Sequence, residues 1–439
     1  MSHPDPQQLL KRVLIISPYF PPTNAADMHR VRMSLPYFKE YGWEAEVVTV
    51  HPSFSDMAVD PLLEQSLPGD VPVHYVSALS KKWTSRLGLG SIALRSLWFF
   101  RKTGNRLLRQ KKFDLVYFST TQFPVCILGA YWKRKFGVPY VIDVQDPWHS
   151  DYYKDKPRAQ RPPKYWFSYR LNKTLEPLAM NNVDGLIAVS EAYRTTLANR
   201  YANCRRIPGQ TIPFGAFEPD LHLARQHRAL QPSWLRGKPG QVQVVYVGRG
   251  GKDMRDAVSL LFRAFRHCLE QDRQLFSRFH FSFIGTSYAA RGKGEPTIFP
   301  LAREAGVADH VTEVTDRIPF YQTLNTLADA TALFIPGSND PQYTASKIYP
   351  YVLVRKPLLA LFHPKSSAVA FLKNCRVGAV WTFDQQEQDI VHGIKEFLVS
   401  VALGRSVNVV PVPEVLEQYS AKEMTSRQCD LFRAVLFNA

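Results

Sequence analysis

Residues Val242–Phe265 read VQVVYVGRGGKDMRDAVSLLFRAF. The apolar run Val244, Val245, Tyr246, Val247 halts at Gly248, and a loop follows with Arg249, Gly250, Gly251, Lys252 and Arg255. An amphipathic run, Ala257 to Phe265, comes next. Strand, glycine turn and helix start are where an α/β fold offers backbone N–H groups and cations to an anion. Gly248, Arg249, Lys252 and Arg255 are therefore candidates to hold a phosphate or diphosphate. The same residues also suit an ordinary turn, its cations solvated and partly offset by Asp253 and Asp256.

The pattern repeats outward from this stretch. On its C-terminal side come strand-like HFSFIG (280–285), HVTEV (310–314), TALFIP (331–336), PLLAL (357–361) and VGAVWTF (377–383). Helical periodicity lies between them over 320–329, 346–354 and 366–373. On the N-terminal side, Val13–Ile16 is a buried strand ended by Ser17-Pro18, and the loop PPTNAADMHR leads into the helical RVRMSLPYFKEYG, closed by Gly42. EAEVVTV (44–50), VPVHYVSAL (71–79), FDLVYFST (113–120), VPYVIDV (138–144) and DGLIAVSE (184–191) read as further strands, with helices over 124–136 and 165–182. TIPFGAF (211–217) is strand-like. Residues 219–240 lack apolar periodicity and read as a linker. The expected organisation is a short lead (1–11), a first domain (12–218), the linker, a second domain (241–411), and a final helical segment (412–439) that can return to the first domain. Strand–helix alternation in both halves predicts two Rossmann-like, doubly wound α/β domains facing across a cleft.

The 439 residues carry 55 Lys+Arg against 38 Asp+Glu, a net charge of +17. Such an excess favours an anionic partner: a phosphorylated small molecule, a membrane surface or nucleic acid. No nucleic-acid reading module is present in the sequence, so that partner is not expected. The five cysteines are scattered without a C-x-x-C pair, which argues against a disulfide framework or zinc site and for a reducing compartment. The N-terminus has no apolar signal region, and the apolar runs fall short of the ~20 residues needed to span a bilayer. One stretch stands apart. Ser80–Lys112 holds ten Lys/Arg and no acid, with Trp83, Trp98, Phe99 and Phe100. It fits an anionic membrane interface, and equally a helix packed on its own domain with a basic rim.

Several patches in order carry a family likeness: SPYFPP with Arg30, EVVTV, IDVQDPW, LEPLAMNNVDGLIAVSEAYRTTL, IPFGAF, YVGRGG and SKIYPYVLVRKPLLAL. The ordered set, over roughly residues 12–435, resembles the GT-B glycosyltransferases like family 4. The resemblance implies sugar transfer from a nucleotide-sugar to an acceptor, without a metal or other cofactor. It makes Arg249 the cation on the leaving diphosphate, with Lys252 and Arg255 competing to be the second. Charge develops on that diphosphate as the glycosidic bond breaks, so preorganised cations there lower the barrier.

On the first domain the resemblance points to Asn24 and Asp27, in a loop where Ala25 and Ala26 replace the glycines the family often has, and to Asp143 and Asp146 in IDVQDPW; Asn24 and Asp27 equally suit a helix N-cap. Asp146 is the preferred base for the acceptor hydroxyl. His149 and His29 fall nearby; lone histidines are more often structural. Ser190 reads as a helix cap, and Phe214 stands where the family commonly has Asn. The family's E-x7-E pair is replaced by Gln342 and Pro350, which removes the ribose-gripping carboxylate and weakens the argument for stereochemical retention. Ser346 and Lys347 match a Ser-Lys of many relatives and join Gln342 as candidate donor contacts. The expected function is glycosyl transfer to a glycan or lipid-linked acceptor in cell-surface polysaccharide synthesis, peripheral at the cytoplasmic membrane face through residues 80–112. The alternative is a GT-B module without turnover that acts as a binding or assembly partner.

Overall fold

The computed structural model describes residues 10–151, 154–158, 161, 164–237, 240–289, 291–339, 347–405 and 408–438. The chain divides into two units, Met1–Gly215 with Tyr419–Ala439, and Ala216–Gln418.

The first unit is built on seven strands: β1 Lys11–Ile16, β2 Trp43–Val50, β3 Val73–Val76, β4 Leu115–Ser119, β5 Tyr140–Val144, β6 Gly185–Ala188 and β7 Gly209–Thr211. They pair in the order β3-β2-β1-β4-β5-β6-β7, every pair parallel. Parallel strands need crossover helices, which cover both faces, so the central strands are apolar runs rather than alternating ones. Val13, Leu14, Ile15 and Ile16 are accordingly all fully buried. Strand order reverses between β1 and β4, and a ligand crevice forms outside the carboxyl ends of strands at such a switch point.

The second unit has six strands: β8 Val242–Val247, β9 Phe279–Ile284, β10 Val311–Val314, β11 Ala332–Pro336, β12 Leu358–Phe362 and β13 Ala379–Thr382. Their order is β10-β9-β8-β11-β12-β13, again all parallel, with the switch point between β8 and β11. The Arg255–Gln271 helix buries Ala257, Val258, Leu261, Phe262, Phe265 and Cys268, the 3–4 spacing of one helical face. Phe262 and Phe265 pack edge-on against Phe281 of β9.

The structure departs from the sequence reading in places with identifiable causes. The helix expected up to Gly42 is split into a 3-10 turn Ala26–Met28, a helix His29–Ser34 and a 3-10 turn Phe38–Tyr41. Pro36 lies in the break, where its ring and missing N–H stop continuation. TIPFGAF is not a strand beyond Thr211, because Pro213 has no N–H for the ladder. Gly215 there lies so close to the Ala421 backbone that any side chain would collide. Residues 219–240, read as linker, include most of the Glu218–Gln226 helix, which packs on the Phe320–Asp329 helix. The contact is polar, with Asn325 Nδ2 donating to the carbonyls of Ala224 (2.9 Å) and Gln231 (2.8 Å). Apolar periodicity does not register such a contact.

The Ala421–Asn438 helix packs on the first unit. Phe432 meets Trp43 and Tyr117 at ring distances of 5.3 and 5.1 Å, and Gln428 donates to Ser34 Oγ (2.8 Å). The five cysteines are free and buried.

Candidate functional site

In the second unit, Gly248 ends β8 and opens the loop at the switch point. Arg249 is held bidentately by Asp253, with Nη1 to Oδ1 at 3.0 Å and Nη2 to Oδ2 at 2.8 Å. This fixes the guanidinium plane four residues along the same loop. The Asp253 carbonyl in turn accepts the Asn339 N–H at 3.0 Å, joining the loop after β8 to the loop after β11.

The second cation beside Arg249 is Lys347. Its ammonium donates to the Tyr246 hydroxyl (2.7 Å), which itself donates to the Arg249 carbonyl (2.8 Å). The space it occupies is the space a side chain at Gly248 would need. Lys347 immediately precedes the Ile348–Leu353 helix, whose Tyr351 hydroxyl accepts the Val247 N–H (2.7 Å) and donates to its carbonyl (3.1 Å). Enclosure in protein, followed by the repulsion of Arg249 and Arg317, pushes the Lys347 pKa down to about 7. Arg317, from the loop after β10, lies over the Tyr288 ring at 4.4 Å.

Lys252 and Arg255, the residues expected to compete for the second position, are both exposed. Arg255 pairs with Glu304 (2.8 Å) on the Phe299–Glu304 helix. Lys347 joins Arg249 instead because the helix after β11 carries it to the end of β8. Arg317 was not singled out by the sequence; its place at the end of β10 is the signal that finds it once strand order is known. Pro350 sits in the first turn of the Ile348–Leu353 helix, where proline is tolerated. Gln342 and Ser346 lie outside the described residues.

In the first unit, Asp146 follows β5 and lines a cavity of about 500 Å³. Phe123 and Trp148 form part of its wall, with rings stacked at 5.4 Å and 14°. Gln122, Leu94, Lys164, Phe167 and Asn172 also line it, and Trp148 Nε1 donates to Asn172 Oδ1 at 3.3 Å. Surrounding protein, then the charge of Asp27, raises the Asp146 carboxyl above its ordinary range.

The other carboxylates predicted here are structural. Asp143 is fully buried against Arg30, whose Nε lies 2.7 Å from Oδ2. It also accepts from Ser119 Oγ (3.0 Å) and Gln145 Nε2 (2.8 Å). Arg30 donates to the Ile212 carbonyl (2.6 Å) and lies over the Phe214 ring at 4.9 Å, which accounts for an aromatic at 214. Asp27 is buried and accepts from Thr120 Oγ1 (3.0 Å) and from Thr121 N (3.0 Å) and Oγ1 (3.1 Å), bracing the loop after β1 on the end of β4. Neither Asn24 nor Asp27 caps the following turn through its side chain.

Asn24 and His149 do not line the cavity. His149 donates its N–H to Glu176 (2.9 Å), and its ring packs on Tyr169 at 4.8 Å. Burial and the neighbouring Arg200 lower its pKa. His29 lies beside Arg32 Nη2 at 3.0 Å, its pKa well lowered by burial. Ser190 caps the Glu191–Arg200 helix by accepting the Tyr193 N–H.

Residues 29–215 match the family model described as a glycosyl transferase 4-like domain. A search of the curated proteins gives no match. Among solved structures, HepE of Anabaena in complex with UDP-glucose is 14% identical, with a TM-score of 0.56 over 95% of this chain and 98% of that one. The N-terminal domain of Candida albicans trehalose-6-phosphate phosphatase is 13% identical, with a TM-score of 0.62 over 99% of each chain. An α,α-trehalose-phosphate synthase (UDP-forming) of Burkholderia xenovorans, in complex with glucose-6-phosphate, is 12% identical, with a TM-score of 0.55 over 96% of this chain and all of that one. At these identities the structural likeness is one of fold. Residues 29–215 thus match a glycosyl transferase 4-like domain, and the chain with its two Rossmann-like units shares the fold of these structures.

Proposed function

We propose that the protein transfers a glycosyl residue from a nucleotide-sugar to a hydroxyl of a glycan or lipid-linked acceptor, in cell-surface polysaccharide synthesis at an anionic membrane face. The observation that carries this reading is the junction of Arg249 and Lys347 at the switch point of the second unit. Both are cations held by fixed partners where a diphosphate is bound in doubly wound sheets.

In the reaction the acceptor oxygen attacks the anomeric carbon and the carbon–oxygen bond to the diphosphate breaks. The electron pair leaves on the diphosphate, where Arg249 and Lys347 stabilise it more than they stabilise the ground state. Asp146 takes the acceptor proton, and its raised pKa makes it a stronger base than an ordinary carboxylate. Pro350 offers no carboxylate to the ribose, so the donor depends more heavily on the cation pair.

UDP-glucose is the first donor to test, since HepE of Anabaena was solved with it. Support for membrane association comes from the Ile92–Gln110 helix. It buries Ile92, Ser96, Phe100, Gly104 and Leu107, and it exposes Trp98, Arg101, Lys102, Arg106 and Arg109. Among the described residues no helix is long and apolar enough to cross a membrane.

Incubation with UDP-, GDP- and ADP-sugars, with release of nucleoside diphosphate as the readout, tests the reading. Slow hydrolysis or transfer with at least one donor is expected. Absence of binding and turnover with all of them overturns it in favour of a module without turnover.

A further inference from the structure

The Asp146 cavity has an uneven chemistry that bears on what enters it. Leu94, Phe123, Trp148, Phe167 and Leu171 give its wall an apolar part, beside polar groups that include Gln122, Ser168 and Asn172. Opposed to these is one lysine. Lys164 stands at the start of the Tyr165–Met180 helix with φ 58° and ψ 26°, in the left-handed region that a side chain rarely adopts. Its ammonium donates to the Ser85 carbonyl at 2.8 Å. Among the described residues no carboxylate lies within ion-pair distance of it.

The two segments that this hydrogen bond joins both expose large aromatic side chains. Trp83, two residues before Ser85, is 65% exposed; Trp166 and Phe167, just after Lys164, are 46% and 44% exposed. A Cβ at Gly88 would touch the Phe167 ring, so the segments are in close contact. Arg86 lies over Trp83 at 5.1 Å, and Arg161 over Trp166 at 5.2 Å. Solvent-facing indoles bearing guanidinium groups, next to a cavity with a carboxylate and an ammonium, form a graded surface. Indole and guanidinium together suit the boundary between an apolar phase and anionic headgroups.

We propose that the acceptor is an amphiphilic phosphate, with its reacting hydroxyl at Asp146, its phosphate on Lys164 and its apolar chain along Phe167 and the exposed indoles. This rests on the reading of the Asp146 cavity as the acceptor site. A lysine ammonium binds phosphate as a compact point charge, and a neutral saccharide gives it no matching anion. Aromatic side chains left facing water are covered when an alkyl chain lies on them.

The test uses the full chain with dodecyl phosphate, dodecyl maltoside and inorganic phosphate, the amphiphiles below micelle-forming concentration. Binding is followed by calorimetry, with UDP titrated into every variant in parallel. Dodecyl phosphate is expected to bind about tenfold more tightly than dodecyl maltoside, the worth of one charge-assisted hydrogen bond. Lys164→Gln removes that preference, Phe167→Ser weakens both amphiphiles, and Lys373→Gln changes neither. Inorganic phosphate alone binds weakly. Equal binding of the two amphiphiles by the unaltered protein, or a preference that survives Lys164→Gln, overturns the proposal, as does inorganic phosphate binding as tightly as dodecyl phosphate. UDP binding separates this from a failure of the broader reading. If amphiphile preference fails while UDP still binds and is released from UDP-sugars, only the acceptor class is wrong. If Asp146→Asn transfers sugar at the normal rate, the acceptor-site assignment itself falls.

Discussion

The Lys347 ammonium occupies the space beside Gly248 that any side chain at that position would fill, and it donates there to the Tyr246 hydroxyl at 2.7 Å. Gly248 therefore matters for where it lets a lysine stand. Replacing it by alanine displaces Lys347 from the loop and leaves the core of β8 intact. Gly248→Ala is expected to raise the donor KM by about tenfold or more, corresponding to loss of one charge-assisted hydrogen bond of ~1.5–3 kcal/mol. A Cβ at Gly248 also crowds the Tyr246 hydroxyl, so a lowered melting temperature accompanies the change and KM is read on protein shown to be folded. An unchanged KM would show that Lys347 does not meet the donor.

Arg249 and Asp253 behave as a pair. Arg249→Ala removes a cation from the leaving diphosphate and is expected to lower kcat by about a hundredfold or more. Asp253→Asn keeps the arginine and loosens its bidentate hold, so it costs less, and Asp253→Glu recovers part of the loss. Steady-state kinetics with a fixed acceptor reads both. Asp253→Asn falling as far as Arg249→Ala would assign the carboxylate a direct role.

Lys347 gives donor binding a pH dependence. Its pKa is pushed down to about 7 in the free protein, and a bound diphosphate favours the protonated form. Donor binding therefore takes up a proton, and the donor dissociation constant rises as pH increases above about 7. The same depression makes the unfolded chain bind more protons than the folded one between about pH 7 and the ordinary lysine value, so this group adds stability with rising pH in that range. Lys347→Arg should flatten the binding profile, measured by UDP titration from pH 6 to 9.

Much of this was legible in the sequence, and the limit is instructive. The strand runs and the VGRGG turn are local patterns, and they place both switch-point loops correctly. The partners within each loop are long-range. Lys347 meets Tyr246 across 101 residues and Asp27 meets Thr121 across 94, so spacing could not say that Asp27 is consumed in bracing β4 or that Lys347 supplants Arg255. Asp143 and Asp146 look alike in IDVQDPW, yet Asp143 lies within β5, buried along its whole length, beside Arg30, while Asp146 lies past the strand and lines the cavity. The Glu218–Gln226 helix was missed because its packing uses amide hydrogen bonds.

The Arg30–Asp143 ion pair is fully buried. Truncating one partner leaves a buried charge uncompensated, so Asp143→Ala is expected to destabilise the protein by ~3–5 kcal/mol. Denaturant unfolding would reveal this as a lowered midpoint. A loss below ~1 kcal/mol would mean that water or Gln145 compensates Arg30.

Membrane association should depend on the exposed face of the Ile92–Gln110 helix. Lys81 already pairs with Asp56 and Lys111 with Glu46, so Arg101, Lys102, Arg106 and Arg109 are the informative set. Changing all four to glutamine is expected to abolish salt-sensitive binding to vesicles of phosphatidylglycerol and phosphatidylcholine, at roughly 1 kcal/mol per cation. Sedimentation with vesicles measures it, and unchanged binding would remove this helix from the interface.

The most direct test of the account is release of UDP from UDP-glucose by the unaltered protein and by Arg249→Ala, each first shown to be folded. The account predicts measurable release that falls about a hundredfold or more in the variant. Equal release by the two proteins, or neither binding nor release by the unaltered one, would contradict it.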